Sequence, residues 1–407
     1  MRIFHASDTT PNAAFESNLW RLNLCEPLVD LGHEVVEFDY DLRPIFRNLD
    51  PSDPAQKTFI DKTRPRTSRE LLRQVRREHA RKPIDVFFSY FYDACVLPEV
   101  IDEIRSLGIL ALNWYCNASY QLHLVSEIAP HYDWCLVPEK FRLADYVALG
   151  ARPVYCQMAA NPRVYKPCAV PADLDVTFVG QAYGERPALI RHILEAGIDV
   201  RVWGPGWRDH SPCAGHARRR LSLEALAHAP RRLLSAEGRR AALRWIARLG
   251  SPSRPVQVPG NGDRPPLPSE ILGGPLADAE MIQMYSRSKV NLGFSSVGQT
   301  HAGGERIVQV RLRDFEVPMS GGFYMVEEME ELAEFFEIGR EIVCYNAPGD
   351  LADKIRYFLS HDSERETIRQ AGHRRALADH TWHKRFQAVF ERIGLPSGRR
   401  VTPPSAS

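Results

Sequence analysis

Short apolar runs alternate along this chain with segments of helical period, and the alternation predicts a series of β-α-β units. Residues 2–6 read as a strand that ends at Ser7-Asp8. Leu19, Leu22, Leu28 and Leu31 recur through a helix over 15–31, with Gly32 just past its end. Further strands are predicted over 34–38, 84–90, 109–114 and 132–137, the last of the first half. Helices follow over 68–81 (opened by Ser68), 98–107 and 141–149. The stretch 41–68, rich in Pro, Asp, Arg and Thr, reads as a surface loop. Past a segment with prolines at 162 and 167 the alternation resumes. Strands are predicted over 175–179, 199–203, 290–294, 323–326 and 341–345. Asp278 should cap a helix over 279–288, and Ser363 and Glu366 form a capping box for a helix to 378. A terminal helix is predicted over 382–393. Right-handed β-α-β crossovers build parallel sheets, so two doubly wound α/β domains are expected.

The boundaries follow from this pattern: a first domain over 1–160, a linker over 161–174, a second domain over 175–380, a terminal helix over 381–395 and a disordered tail over 396–407. The second domain carries an insertion, 208–275. From 208 to 254 it holds eleven arginines against three acids. In its expected helix over 235–249, Arg240, Arg244 and Arg248 recur opposite an apolar side. The plain reading is a helical insertion with a solvated basic face. The sharper one is a peripheral contact with an anionic membrane surface through 208–254.

Bulk numbers narrow the class. The 407 residues suit two domains, and 52 basic against 51 acidic residues argue against a nucleic-acid partner. No run is long and apolar enough to span a bilayer, and the start lacks the apolar core of a signal peptide. The eight cysteines show no zinc spacing and read as reduced thiols. A cytoplasmic protein is expected, either free or peripheral to a membrane.

In doubly wound sheets ligands sit beyond the C-terminal strand ends. In the first domain that places Asp8, Tyr90, Tyr92, Asp93, Tyr115 and Asn117 together. Aromatic faces and amides of this kind suit a sugar. Asp8, Asp93, Asn117 and His123 are therefore the candidate catalytic groups, with His123 open to a purely packing role. The first loop lacks G-x-G-x-x-G, so dinucleotide binding has no support there. In the second domain two glycine turns feed helix starts, which suits a phosphate. One is the loop 298–304 with Gly303 and Gly304, and the other runs from Gly180 to Arg186. Glu316, in the helix bearing Leu312, Phe315 and Met319, is placed to accept ribose hydroxyls, with Arg313 beside it. The plain alternative leaves Arg313 and Asp314 pairing locally and Glu316 solvated.

The stretch 311–327, with Glu337-Ile338-Gly339-Arg340-Glu341-Ile342-Val343 and His380-Thr381-Trp382 after it, resembles the C-terminal domain of group 1 (GT4-like) glycosyltransferases. The nearest branch is the CgeB-like spore-maturation proteins. The resemblance is good over 176–390 apart from the insertion, and looser over 1–165. It implies the GT-B architecture: two doubly wound Rossmann-like domains facing across a cleft. It also implies a nucleotide-diphosphate sugar donor, with Gly180 and Arg186 at the diphosphate, Gly204 near the nucleobase and Glu316 on the ribose. The family pattern has a second glutamate two turns earlier, where this chain has Val308 and Gln309. The expected activity is transfer of a sugar to an acceptor hydroxyl, retaining, with no metal and no cofactor. Arginines and helix ends would supply the positive charge. The acceptor is open among glycan, protein and lipid-linked compounds. The rival readings are a nucleotide-sugar epimerase and a non-catalytic nucleotide- or glycan-binding protein of the same fold.

Overall fold

The computed structural model describes residues 1–7, 18–47, 49–210, 266–297, 306–399 and 401. Eleven strands occur among them. Six form one parallel sheet in the order β2-β1-β3-β4-β5-β6: β1 Arg2–Ala6, β2 Glu34–Glu37, β3 Val86–Ser89, β4 Leu110–Trp114, β5 Trp134–Val137 and β6 Pro153–Tyr155. Five form a second parallel sheet in the order β11-β10-β9-β7-β8: β7 Leu174–Val179, β8 Val200–Trp203, β9 Ser288–Gly293, β10 Tyr324–Glu327 and β11 Val343–Tyr345. Parallel strands covered on both faces must be apolar throughout, and β1 and β3 are buried at every position.

Four expectations change. The stretch 41–68 is not all loop, because a helix over Pro54–Arg81 begins inside it. Its start is well specified: Asp53 accepts the N–H groups of Ala55 and Gln56, and Pro54 sits where a missing N–H costs nothing. Ser68 is interior to that helix, and its hydroxyl accepts the Leu97 N–H at 2.9 Å. The run 132–137 is not the last strand of its sheet, since the three-residue β6 joins the edge, where a leading proline is tolerated. The last long helices differ too. One spans Pro348–Ser360, and the next, Asp362–Asp379, opens without a side-chain cap, so the capping box does not form. Finally, the part of the expected disordered tail that is described, 396–399 and 401, is bonded to the first domain. Arg399 donates its backbone N–H to Leu31 O at 2.9 Å and its Nε–H to Asp30 O at 2.7 Å. The helix expected over 235–249 lies outside the described residues.

The helix Trp382–Arg392, capped by Thr381, lies under the first sheet. Its Trp382 meets Trp114 edge-on at 5.2 Å, and its Phe386 meets Phe88 at 5.7 Å. His383 pairs with Asp30 at 2.9 Å, with both side chains buried. The chain thus crosses between the sheets twice, once through 156–173 and once at this helix. The two crossings touch where Ala160 bridges Thr381. This double connection sets the C-terminal edges of the two sheets opposite each other across a cleft.

Candidate active site between the two sheets

The cleft has a volume of about 570 Å³ and takes residues from both sheets. On the second domain's side its floor is where two turns cross. Gly180 ends β7 and Gly204 ends β8. Gly180 N–H bonds Trp203 O at 2.7 Å, and Trp207 Nε1–H bonds Gly180 O at 2.6 Å. The backbones meet so closely that a Cβ on Gly204 would stand 2.4 Å from Gly180 O, and Gly204 holds a φ of +134°. A Cβ on Gly180 would meet the Arg313 guanidinium at 2.6 Å. Gly204 is required by this contact with backbone, whereas a side chain at Gly180 would displace the Arg313 guanidinium.

Three arginines gather above this crossing. Arg186 opens the helix Arg186–Glu195 and packs over Tyr183 at 3.9 Å and Phe178 at 5.1 Å. It donates to Gln181 O at 2.9 Å and Tyr183 Oη at 2.7 Å. Arg313 also lies over the Phe178 ring, at 4.9 Å. Arg311 donates to Ser296 O at 2.9 Å. Burial, aggravated by Arg313 and Arg311, pushes Arg186 down to about 9. The Nε–H of each arginine and the Gln309 side-chain oxygen are buried without a partner among the described residues. Buried donors left unmade are costly and need a reason. Three guanidinium groups beside a helix start hold positive charge that an anion in the cleft would balance.

Glu316 faces them from the helix Arg313–Met319. Burial raises it to about 7, while the Tyr165 hydroxyl and Arg313 pull it the other way. It is therefore not the solvated acid of the plain reading. Asp314 turns from the cleft, accepting the Tyr324 hydroxyl at 2.6 Å and the Arg311 N–H at 2.7 Å. Burial lifts it to about 6. Asp278, also at the cleft, accepts the Asn18 N–H at 3.1 Å and so ties the two domains.

The first domain brings Leu19, Trp20, Phe46, Tyr90, Cys116, Asn117 and Met158 to the cleft. Of the four expected catalytic groups, only Asn117 lines it among the described residues. Asp8 lies outside them, as do Gly303 and Gly304. Asp93 is used elsewhere: its two oxygens accept the N–H groups of Glu127 and Ile128 at 3.1–3.2 Å, and burial raises it to about 6. His123 is exposed and stands 3.5 Å from Asp50, neither at the cleft nor packed in a core. Two Asp-x-Asp spacings also lie away from the cleft. Asp41 pairs with Arg43, and Asp173 and Asp175 pair with Arg287 and Lys289. Gly180, Arg186, Gly204, Arg313 and Glu316 all come together. The sequence reading passed over Arg311, Gln309, Trp20 and Phe46. The Arg-x-Arg spacing before the Glu316 helix was the available signal for Arg311. For Gln309 the signal was its place at the family's earlier glutamate, and Trp20 and Phe46 had none.

Residues 231–391 match a family described as glycosyl transferase-like. No curated protein matches the chain. Among solved structures, Anabaena Alr3699/HepE in complex with UDP and glucose superimposes with a TM-score of 0.52 at 12% identity, covering 97% of this chain and 99% of that one. Sucrose-phosphate synthase from Thermosynechococcus elongatus gives 0.53 at 15%, covering 97% of each chain. AviGT4, a glycosyltransferase involved in avilamycin A biosynthesis, gives 0.52 at 14%, again over 97% of each. The chain therefore has the two-sheet GT-B fold of glycosyltransferases, and this fold together with the glycosyl transferase-like segment supports a transferase.

Proposed function

We propose that the protein transfers a sugar from a nucleotide-diphosphate donor to an acceptor hydroxyl. The observation that carries this is the gathering of Arg186, Arg311 and Arg313 over the Gly180–Gly204 crossing, with the Glu316 carboxylate lining the same cleft. The guanidinium groups would bond the diphosphate, and Glu316, once ionised, would accept the ribose hydroxyls. In the reaction the bond from the anomeric carbon to the diphosphate oxygen breaks, and a bond to the acceptor oxygen forms. Charge develops on the departing diphosphate, and fixed cations in a dry site stabilise it most at that moment. Those arginines would serve the electrostatic role that a divalent cation serves elsewhere, so the reaction is read as metal-independent and in need of no cofactor. The diphosphate oxygen would take the acceptor's proton on the face it leaves, which fits retention of configuration. Within the family, the pattern around Glu316 points to the CgeB-like branch. HepE, with UDP and glucose bound, makes a uridine nucleotide the first donor to test.

The test is thermal unfolding with UDP, GDP, dTDP and CMP and their common sugars, with and without magnesium. A ligand at 100 times its Kd adds about 2.7 kcal/mol of stability. One diphosphate raising Tm equally in both conditions is the expected result. No shift with any of them would sink the reading.

A further inference from the structure

Resting on that reading of the cleft's charged half, we infer that its other half takes a compact aromatic alcohol, such as a phenol, as acceptor, rather than a glycan. The first domain's described lining is Leu19, Trp20, Phe46, Tyr90, Cys116 and Met158, with Asn117 as its one amide. The polar atoms of this wall are largely spent on one another. Tyr90 Oη and Cys116 Sγ are bonded to each other at 3.2 Å. Burial pushes both groups' pKa up, so neither offers a charge to a ligand. Glycan recognition needs several hydrogen-bonding side chains, because each hydroxyl stripped of water without a partner costs free energy. Among its described residues this wall has one amide to give.

What the wall does offer is rings. Trp20 meets Tyr90 edge-on at 4.6 Å and Trp114 at 5.6 Å, and Phe46 meets Tyr90 at 4.9 Å in the same manner. Trp20 and Phe46 are half-buried, so part of each ring remains open. Edge-to-face and offset packing of a further ring against such a cluster is favourable. The Asn117 amide then holds the acceptor's hydroxyl at the end of β4, facing the donor.

The probe is 7-hydroxy-4-methylcoumarin, a fluorescent phenol. Its binding to the full chain is measured by anisotropy, first alone and then with UDP. Saturable binding is expected, weakened roughly tenfold by either Trp20→Ala or Phe46→Ala, with Trp20→Phe restoring most of it. Circular dichroism of each variant separates lost binding from lost fold. Maltotriose should not displace the probe. Absence of saturable binding, equal binding by all variants, or displacement by maltotriose would each overturn the inference. Because binding without UDP needs neither donor nor turnover, it succeeds or fails separately from the nucleotide shift.

Discussion

The two walls of the cleft solve opposite problems. The second domain's wall gathers charge: buried Arg186 and Glu316, with half-buried Arg311, Arg313 and Asp278, lie around a crossing of two glycine turns. The first domain's described wall buries rings and one amide. Both stand at the C-terminal edges of parallel sheets, so the architecture is the same and the side chains alone differ. The difference teaches where binding energy is stored. The charged wall holds the Arg186 guanidinium almost fully buried, and an anion in the cleft would offset the cost of that charge. The aromatic wall has paired Tyr90 with Cys116 and, among its described residues, offers ring surface and the Asn117 amide.

The sharpest way to break this contrast is at the backbone beneath the charged wall. Gly204→Ala places a Cβ 2.4 Å from Gly180 O at a φ of +134°. It should lower stability by about 3 kcal/mol or more in urea unfolding, with loss of nucleotide binding. A variant of native stability would mean that the crossing is not held as described. Next in size is Arg186→Ala, expected to weaken UDP binding roughly 10- to 100-fold in calorimetry. Arg186→Lys should fall between, since it keeps the charge and loses the planar fork. Unchanged affinity in both would remove the diphosphate from this wall.

Glu316 sharpens the comparison through pH. Burial holds its folded pKa near 7, above its ordinary 4.5. The folded chain therefore favours the protonated form. The stability this confers is complete below pH 4.5 and is lost as pH rises through about 7. A ribose needs the ionised form, so UDP affinity should rise roughly tenfold from pH 6 to pH 8. In Glu316→Gln that rise should vanish, and the stability should no longer decline across the same window. An affinity in the wild type that is flat with pH would exclude Glu316 from the nucleotide. The smallest effect belongs to the other wall. Asn117→Ala should leave UDP affinity unchanged and reduce turnover on acceptor several-fold, about the worth of one neutral hydrogen bond. A matching loss of UDP affinity would show that the two walls are not separate in function.

Sequence alone went far on the second wall, because its signals are local. A strand, a glycine and a helix start are legible in order, and they carried Gly180 and Arg186. Gly204 came from the resemblance, and Arg313 and Glu316 from helical spacing and resemblance. The first wall was read less well. Asp93 and His123 follow strand ends as cleft residues should, yet one is bound to backbone N–H groups and the other stands in solvent. Which face a side chain takes after a strand depends on the loop's own hydrogen bonds, and those are made to residues some thirty positions away.

What the sequence by itself determined is the kind of object: parallel strands, crossover helices, two domains and a glycine turn feeding a helix start in the second. These follow from periodicity and from the limits on glycine and proline, which act over a few residues. Tertiary structure alone decided that Gly180 and Gly204 cross, that Arg311 joins Arg186 and Arg313, and that Trp20 and Phe46 stand opposite them. Each of these is a contact between segments far apart in the chain. Such contacts are fixed by how two sheets pack around one linker and one returning helix, and no local pattern encodes that.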